Sequence, residues 1–161
     1  MDNAASGTMV YEEHQSFVAM YVMAGAVLIA LVLTAFFAGA DLRVISPSDR
    51  NGMLIAAAAI LVVLWGFSRL NVIVTTTEFR FGFPAWHRCV PLSSIEVGDT
   101  VPIRLWYGLG IHYAGGMWVY NARLGRGVMV TIKGTRHLIG SNDPERLQAA
   151  LLQVAPRRSG A

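Results

Sequence analysis

Charged side chains are missing from two long stretches of this sequence. None occurs from Gln15 to Ala40, and none occurs from Gly52 to Ser68. The first stretch contains 24 near-continuously apolar residues, 17–40. As an α-helix they would extend about 36 Å, against a bilayer hydrocarbon core of about 30 Å. The sequence therefore predicts a transmembrane helix here, and the lack of ionisable groups excludes a transport path, a proton relay or an ion site within it.

The second stretch is predicted to form a matching span over residues 47–70. Ser46 is placed as the N-cap, Pro47 as the first helical residue, and Asp49 as a carboxylate in the first turn. Arg69 would lie near the other end, with its guanidinium extended to the interface. A cleaved signal peptide is excluded, because the first fifteen residues contain no Lys or Arg and the apolar core is too long.

Small residues recur within both stretches, for example at Ala26 and Ala30 and in the run 56–59. Small residues four apart allow the backbones of two helices to approach closely. Two interpretations follow: the two helices pack on each other, or a remaining small face docks on a helix of another protein.

Basic residues are scarce in the first part of the chain. Of thirteen Lys and Arg residues, only Arg43 and Arg50 precede Arg69, so the formal charge of +3 belongs to the C-terminal part. Phospholipid headgroups and acidic protein surfaces are the expected partners, whereas the lack of a basic run argues against nucleic acid. The bias of Arg69, Arg80 and Arg88 over the two loop arginines predicts an inner or plasma membrane protein with cytoplasmic termini and a cytoplasmic C-terminal domain.

Residues that carry chemistry are few and scattered. Cys89 is the only cysteine, which excludes an intrachain disulfide, and it is expected to be a buried small hydrophobe. The four histidines, at 14, 87, 112 and 137, show no metal-ligand spacing, and Ser93 and Ser94 have no nearby base. The sequence predicts no catalytic residue, no cofactor, no metal site and no small-molecule substrate.

After Leu70 the hydrophobic period changes from helical to alternating. Phe79, Phe81 and Phe83 share one face of a predicted strand, and a hairpin is predicted with Gly134-Thr135 as its turn. A break is expected at residues 98–99, and the stretch 106–116 is rich in glycine and aromatic residues without a clear strand pattern. These patterns indicate about six or seven antiparallel strands.

The chain closes with a helix signature. Asp143 is predicted as the N-cap and Pro144 as the first helical residue. An apolar stripe is predicted to cover the sheet, formed by Leu147, Leu151, Leu152 and Val154.

The region from Leu70 to Val154 resembles the bacterial pleckstrin-homology-like family. The resemblance lies in Phe79-Arg80-Phe81-Gly82, Val90-Pro91-Leu92-Ser93-Ser94-Ile95, Gly108-Leu109-Gly110-Ile111, and Gly127-Val128 with the segment from Leu138 to Leu147. It implies an antiparallel β-sandwich or barrel capped by a C-terminal helix, often preceded by membrane helices, and an interaction role without shared catalytic residues.

Together these features predict an α+β membrane protein in four parts: a polar segment 1–16, a transmembrane helical hairpin 17–70 with spans 17–40 and 47–70, a pleckstrin-homology-like domain 71–155, and a basic tail 156–161. The predicted function is a non-catalytic scaffold, an accessory subunit that stabilises a larger complex of integral membrane proteins, conceivably an energy-converting one. The alternative is a stand-alone sensor of anionic lipid headgroups. The predicted partner-binding residues are Trp86, Arg88, Arg104, Trp106 and Tyr107.

Overall fold

A computed structural model of the chain describes residues 7–37 and 47–155. This part contains two β-sheets and three α-helices. In chain order the elements are β1 Met9–Ser16, α1 Val18–Phe37, α2 Pro47–Gly66, β2 Arg69–Thr75, β3 Glu78–Phe83, β4 Trp86–Pro91, β5 Ile95–Ile103, β6 Gly110–Ala114, β7 Met117–Asn121, β8 Gly125–Ile132, β9 Thr135–Ser141 and α3 Pro144–Val154.

The fold begins with a strand, which the sequence patterns did not predict. β1 pairs antiparallel with β2, and the register places Ser16 opposite Arg69. The backbone N–H of Phe17 donates to the carbonyl of Ser68 at 3.2 Å, so the chain enters α1 and leaves α2 at neighbouring points. The helix pair, α1 and α2, is thus an insertion between two adjacent strands.

Hydrogen bonds attach β1 to the far end of β9. The Gln15 side chain donates to the carbonyl of Gly140 at 2.7 Å, and the Ser141 hydroxyl donates to the Glu13 carboxylate at 2.6 Å. The Tyr11 hydroxyl donates to the same carboxylate at 2.6 Å. Burial, together with the Glu13 carboxylate, raises the pKa of Tyr11 to about 12, which keeps this donor protonated.

The predicted fold class, with a two-helix transmembrane hairpin at its start, is wrong. α1 and α2 comprise 20 residues each, where spans of 24 residues were expected. Within the described residues, no helix combines the length and the apolar character that crossing a membrane requires. α2 begins at Pro47, as predicted, but residues 67–70 leave the helix because Arg69 already belongs to β2 and pairs with β1. The prediction of a two-span integral membrane protein, with the sidedness inferred from its arginines, is therefore wrong too.

Several details of that prediction lie outside the described residues. They are the proposed N-cap Ser46, the end of the first predicted span at 38–40, and the basic tail 156–161.

The two sheets pack face to face around the core. The first sheet has the order β1-β2-β3-β4, and the second has the order β5-β8-β9-β7-β6. β7 and β9 run parallel, and the other neighbouring strands run antiparallel. The shared face predicted for Phe79, Phe81 and Phe83 is confirmed, because all three are buried between the sheets.

Local irregularities explain why some predicted strand boundaries and turns differ from the structure. The expected break at residues 98–99 is a bulge within β5, between Val97 and Thr100. The turn of the β8–β9 hairpin is Lys133-Gly134, one residue earlier than predicted, and both residues have positive φ, as a tight two-residue hairpin turn requires. The glycine-rich stretch contains β6, which has too few alternating apolar residues to be recognised.

α3 covers one side of the second sheet. The side chain of Asp143 accepts from the backbone N–H of Arg146 at 3.0 Å, which confirms it as the N-cap. Leu147 and Leu151 are buried, as predicted, whereas Leu152 is 52% exposed and Ala150 takes its place in the stripe. The prediction for Leu152 is wrong because its position on the helix turns it away from the sheet.

Candidate functional site

The helix pair exposes apolar side chains around much of its surface. α1 contains no charged residue, and α2 contains none after Arg50. Folded proteins rarely leave contiguous apolar surface of this kind uncovered unless it contacts a partner. The exposed large side chains are Val18, Tyr21, Val22, Met23, Val27, Ile29, Val32 and Leu33 on α1, and Leu54, Ile55, Leu61, Val62, Val63 and Trp65 on α2.

A groove runs between the two helices. It has a volume of about 290 Å³, and small residues, Ala24 on α1 and Ala59 on α2, create the space. All the lining residues are apolar: Met20, Ala24, Ala59, Ile60, Val63 and Leu64. An apolar side chain from another helix could fill this groove without leaving a buried polar group unpaired.

Aromatic packing fixes the base of the helix pair on the first sheet. The rings of Phe17 and Phe67 lie 6.3 Å and 5.5 Å from the ring of Phe83. The backbone N–H of Ala85 donates to the carbonyl of Gly66 at 3.0 Å, and this bond joins the β3–β4 turn to the end of α2. The helix pair is therefore attached to the sandwich by both packing and hydrogen bonding.

The predicted partner-binding residues lie on two segments, β4 and the turn between β5 and β6. Trp86 follows Ala85 directly and is 60% exposed. Arg104, Trp106 and Tyr107 form a short turn, whose segment continues to Gly110 against the Phe17 ring. The Arg104 guanidinium lies 5.1 Å from the centre of the Trp106 ring, a cation–π distance, and this ring is 74% exposed.

Tyr107 differs from Trp106 in being half-buried. Its ring meets the Trp106 ring edge-on at 6.3 Å, and its hydroxyl would lie 3.3 Å from a β-carbon at Gly115. The half-buried Tyr107 ring thus packs against the exposed Trp106 ring.

Arg88 is exposed on β4, two residues beyond Trp86. It is opposite Phe81 in the sheet, and its charge acts on Tyr120 and His137 in the second sheet. Burial, with a smaller contribution from Arg88, lowers the pKa of His137 to about 4. Burial raises the pKa of Tyr120, and Arg88 partly offsets that rise. Arg88 and Trp86 are therefore two positions apart on β4, whereas Arg104, Trp106 and Tyr107 belong to the segment between β5 and β6.

Cys89 is exposed, so the prediction that it is buried is wrong. Its thiol donates to the Glu78 carboxylate at 2.6 Å, and Arg80 donates to the other carboxylate oxygen. Partial burial, and then Glu78, raise the pKa of the Cys89 thiol, while bonds from Cys89 and Arg80 lower the pKa of Glu78. The thiol is held protonated, which is the opposite of what a nucleophilic cysteine needs.

His14 and His87 contact protein groups that give no sign of a catalytic or metal site. His14 bonds Asn71 at 2.8 Å and lies 3.1 Å from Glu12. His87 lines a shallow groove of about 200 Å³ over Gly82, where a β-carbon would collide with the backbone of Trp86 and His87. Across residues 7–37 and 47–155, no three His, Cys, Asp or Glu side chains are arranged to hold a metal ion.

Comparison with protein-family models, with curated proteins and with solved structures finds no significant match.

The sequence patterns did not indicate the groove between α1 and α2, nor a second groove that both Arg88 and Lys133 line. The run of small residues 56–59 was a signal for the first, because Ala59 lines it. No local pattern could have indicated the second, because Arg88 and Lys133 lie in different sheets.

Proposed function

We propose that this protein is a non-catalytic scaffold, an accessory subunit that docks on a larger protein complex through its helix pair. The exposed apolar surface of α1 and α2 is the observation that carries the proposal. Burying apolar surface is the dominant favourable term in protein association, and a surface of this kind is costly to leave in water.

The groove between α1 and α2 supports a helical partner. Helix-in-groove recognition uses apolar side chains spaced along one face of the incoming helix. The groove offers Ala24 and Ala59 as its floor and has no polar group that would need a hydrogen bond. We propose that the occupant is an apolar helix of another subunit, and integral membrane subunits are the proposed class of partner.

The aromatic residues near the base would extend this contact. Trp86 and Trp106 are exposed, and such residues together with arginine are the side chains that most often dominate binding energy at interfaces. Arg104 lies over the Trp106 ring and reduces the entropy that this side chain would lose on binding. The pleckstrin-homology-like resemblance supports the same kind of role, because it implies interaction without catalysis.

Substitutions in the groove test the proposal. Ala59→Phe would fill the groove, whereas Leu152→Phe adds a ring at an exposed position on α3, outside the helix pair. We expect A59F to abolish co-purification with the partner complex in mild detergent and L152F to retain most of it, as measured by mass spectrometry of the co-eluting chains.

Photocrosslinking locates the contact independently. A photoreactive amino acid at Val22 or Val62 should crosslink to the same partner, and one at the exposed Leu152 on α3 should not. A solitary monomer in mild detergent, or crosslinks from Leu152 alone, would refute the proposed scaffold role.

A second candidate function is recognition of anionic lipid headgroups. The exposed Trp86 and Trp106, with Arg104 beside the latter, are residue types that also anchor proteins at lipid interfaces. Flotation of the full chain with vesicles of phosphatidylserine would favour this function if binding fell as salt rose, and binding to neutral vesicles alone would not.

A further inference from the structure

Among the residues that the structure describes, no strand pairs with the outer edge of β4. β4 is the last strand of the first sheet, and it pairs only with β3 in the part of the chain that the structure describes. In an antiparallel pair, alternate residues turn their N–H and C=O groups away from the neighbouring strand. An edge strand without protection is therefore a template for a further strand.

A groove borders this edge. Four consecutive residues of β4, 88–91, form one wall, and Ile132 and Lys133 from the β8–β9 turn form the other. Its volume is about 320 Å³. The side chains of consecutive residues point to opposite faces of a strand. Because all four residues nevertheless line the groove, their backbone edge forms this wall.

The two charged residues that line the groove are both cationic. Arg88 and Lys133 are both exposed, and among the described residues neither forms an ion pair with a carboxylate. The Glu78 carboxylate on the neighbouring strand β3 accepts from Arg80 and from the Cys89 thiol. The groove is therefore cationic on both walls.

We infer that the edge of β4 binds an extended acidic segment of a partner protein by strand addition. The backbone of that segment pairs with β4, and its carboxylates face Arg88 and Lys133. Main-chain hydrogen bonds supply affinity in this mode, and the alternating side chains supply specificity. The surface is separate from the helix pair, so the inference does not depend on how α1 and α2 dock.

The probe is a blocked, fluorescein-labelled peptide of alternating Val and Glu residues, titrated with the full chain and followed by fluorescence anisotropy. We expect saturable binding that weakens as salt rises, because surface charge pairs are screened. A peptide with Lys in place of each Glu should not bind. No saturable binding of the Glu peptide up to millimolar protein, or equal binding of both peptides, would overturn the inference.

Variants separate the charge contribution from the backbone contribution. The double variant Arg88→Gln, Lys133→Gln should weaken binding roughly tenfold, since each exposed charge pair contributes modestly. Arg136→Gln is the matched control, because that side chain lies near Gly116 in the turn between β6 and β7 and does not line the groove.

The backbone contribution is tested on the peptide. Two peptides are compared, one with N-methyl groups on the odd-numbered residues and one with them on the even-numbered residues. In one peptide the methylated nitrogens face β4 and binding should be abolished, and in the other they point away from β4 and binding should be retained. Equal effects of the two methylation patterns would show that charge alone holds the peptide and would overturn strand addition. Loss of binding in R136Q comparable to that of the double variant would overturn the assigned groove.

Discussion

At the scale of single residues, the neighbours of Cys89 on the first sheet determine the protonation of its thiol. Cys89 is exposed, yet its thiol is tied to Glu78, which Arg80 also holds. The sequence predicted that Cys89 is a buried small hydrophobe. That prediction is wrong, and the hydrogen bond to a carboxylate disfavours the thiolate of this exposed residue.

Glu78→Gln should lower the pKa of the Cys89 thiol. The substitution removes the acceptor and the negative charge that raise this pKa, and it leaves Arg80 to favour the thiolate. We expect alkylation by iodoacetamide at pH 8 to become several-fold faster. Because Cys89 is the only cysteine, the rate reports one site. Glu145→Gln is the control, and an unchanged rate in E78Q would contradict the assigned hydrogen bond.

His137 should make the fold less stable in mild acid. Its side chain is 1% exposed, its Nδ1 has no hydrogen-bond partner, and its pKa is about 4, below the ordinary value of about 6.5. Between these two values the unfolded chain binds a proton that the folded chain does not, so stability falls as pH falls through this window. The loss would approach about 3 kcal/mol near pH 4.

Urea unfolding of the wild type and of His137→Leu at pH 7.5 and pH 4.5 measures this effect. H137L should lose less stability between the two pH values than the wild type does. Arg88→Gln should shrink the wild-type loss, because Arg88 contributes to the lowered pKa of His137. The same pH dependence in H137L and the wild type would contradict this role for His137.

At the scale of elements, the local signals that proved correct are those with a short-range physical cause. Asp143 caps α3 through a bond to a residue three positions away, and the alternation of Phe79, Phe81 and Phe83 matches the pleat of one strand. β1 and β6 were not predicted, because their formation depends on pairing with other strands rather than on a short-range pattern. Residues 9–16 are mainly polar and become a strand because β2 supplies their hydrogen bonds.

Asp143→Ala should destabilise the protein by about 1 kcal/mol, the usual effect of removing an N-cap. The backbone N–H of Arg146 would lose its acceptor at one end of the helix that covers β5 and β8. Urea unfolding measures the loss, and Asp143→Ser should restore most of it. If Asp143→Ala and Asp143→Ser were equally destabilised, loss of the N-cap hydrogen bond would not be the cause of the lower stability.

At the scale of the whole molecule, the helix pair is an insertion within a sheet. The sandwich closes through β1, which contributes Tyr11, Gln15 and the adjacent Phe17 to the buried interior. The strands on either side of the insertion meet at Ser16 and Arg69, so the sheet does not need the helices to set its register.

Two deletions should therefore have opposite results. Removing residues 1–16 should cost several kcal/mol, because a strand and its buried side chains are lost. Replacing residues 18–67 by a short glycine-containing turn should leave the sandwich folded, as measured by circular dichroism and urea unfolding. An unchanged free energy of unfolding after the first deletion, or an unfolded chain after the second, would contradict the insertion.

The sequence alone determined the features that depend on near neighbours: the two uncharged stretches, the start of α2 at Pro47, the inward phenylalanines of β3 and the cap of α3. Tertiary structure decided where those stretches end and what the polar N-terminal segment becomes. His14 and Asn71 are 57 positions apart and bond across β1 and β2. Such pairing depends on the two strands meeting in the folded chain, and no periodicity within either segment specifies it.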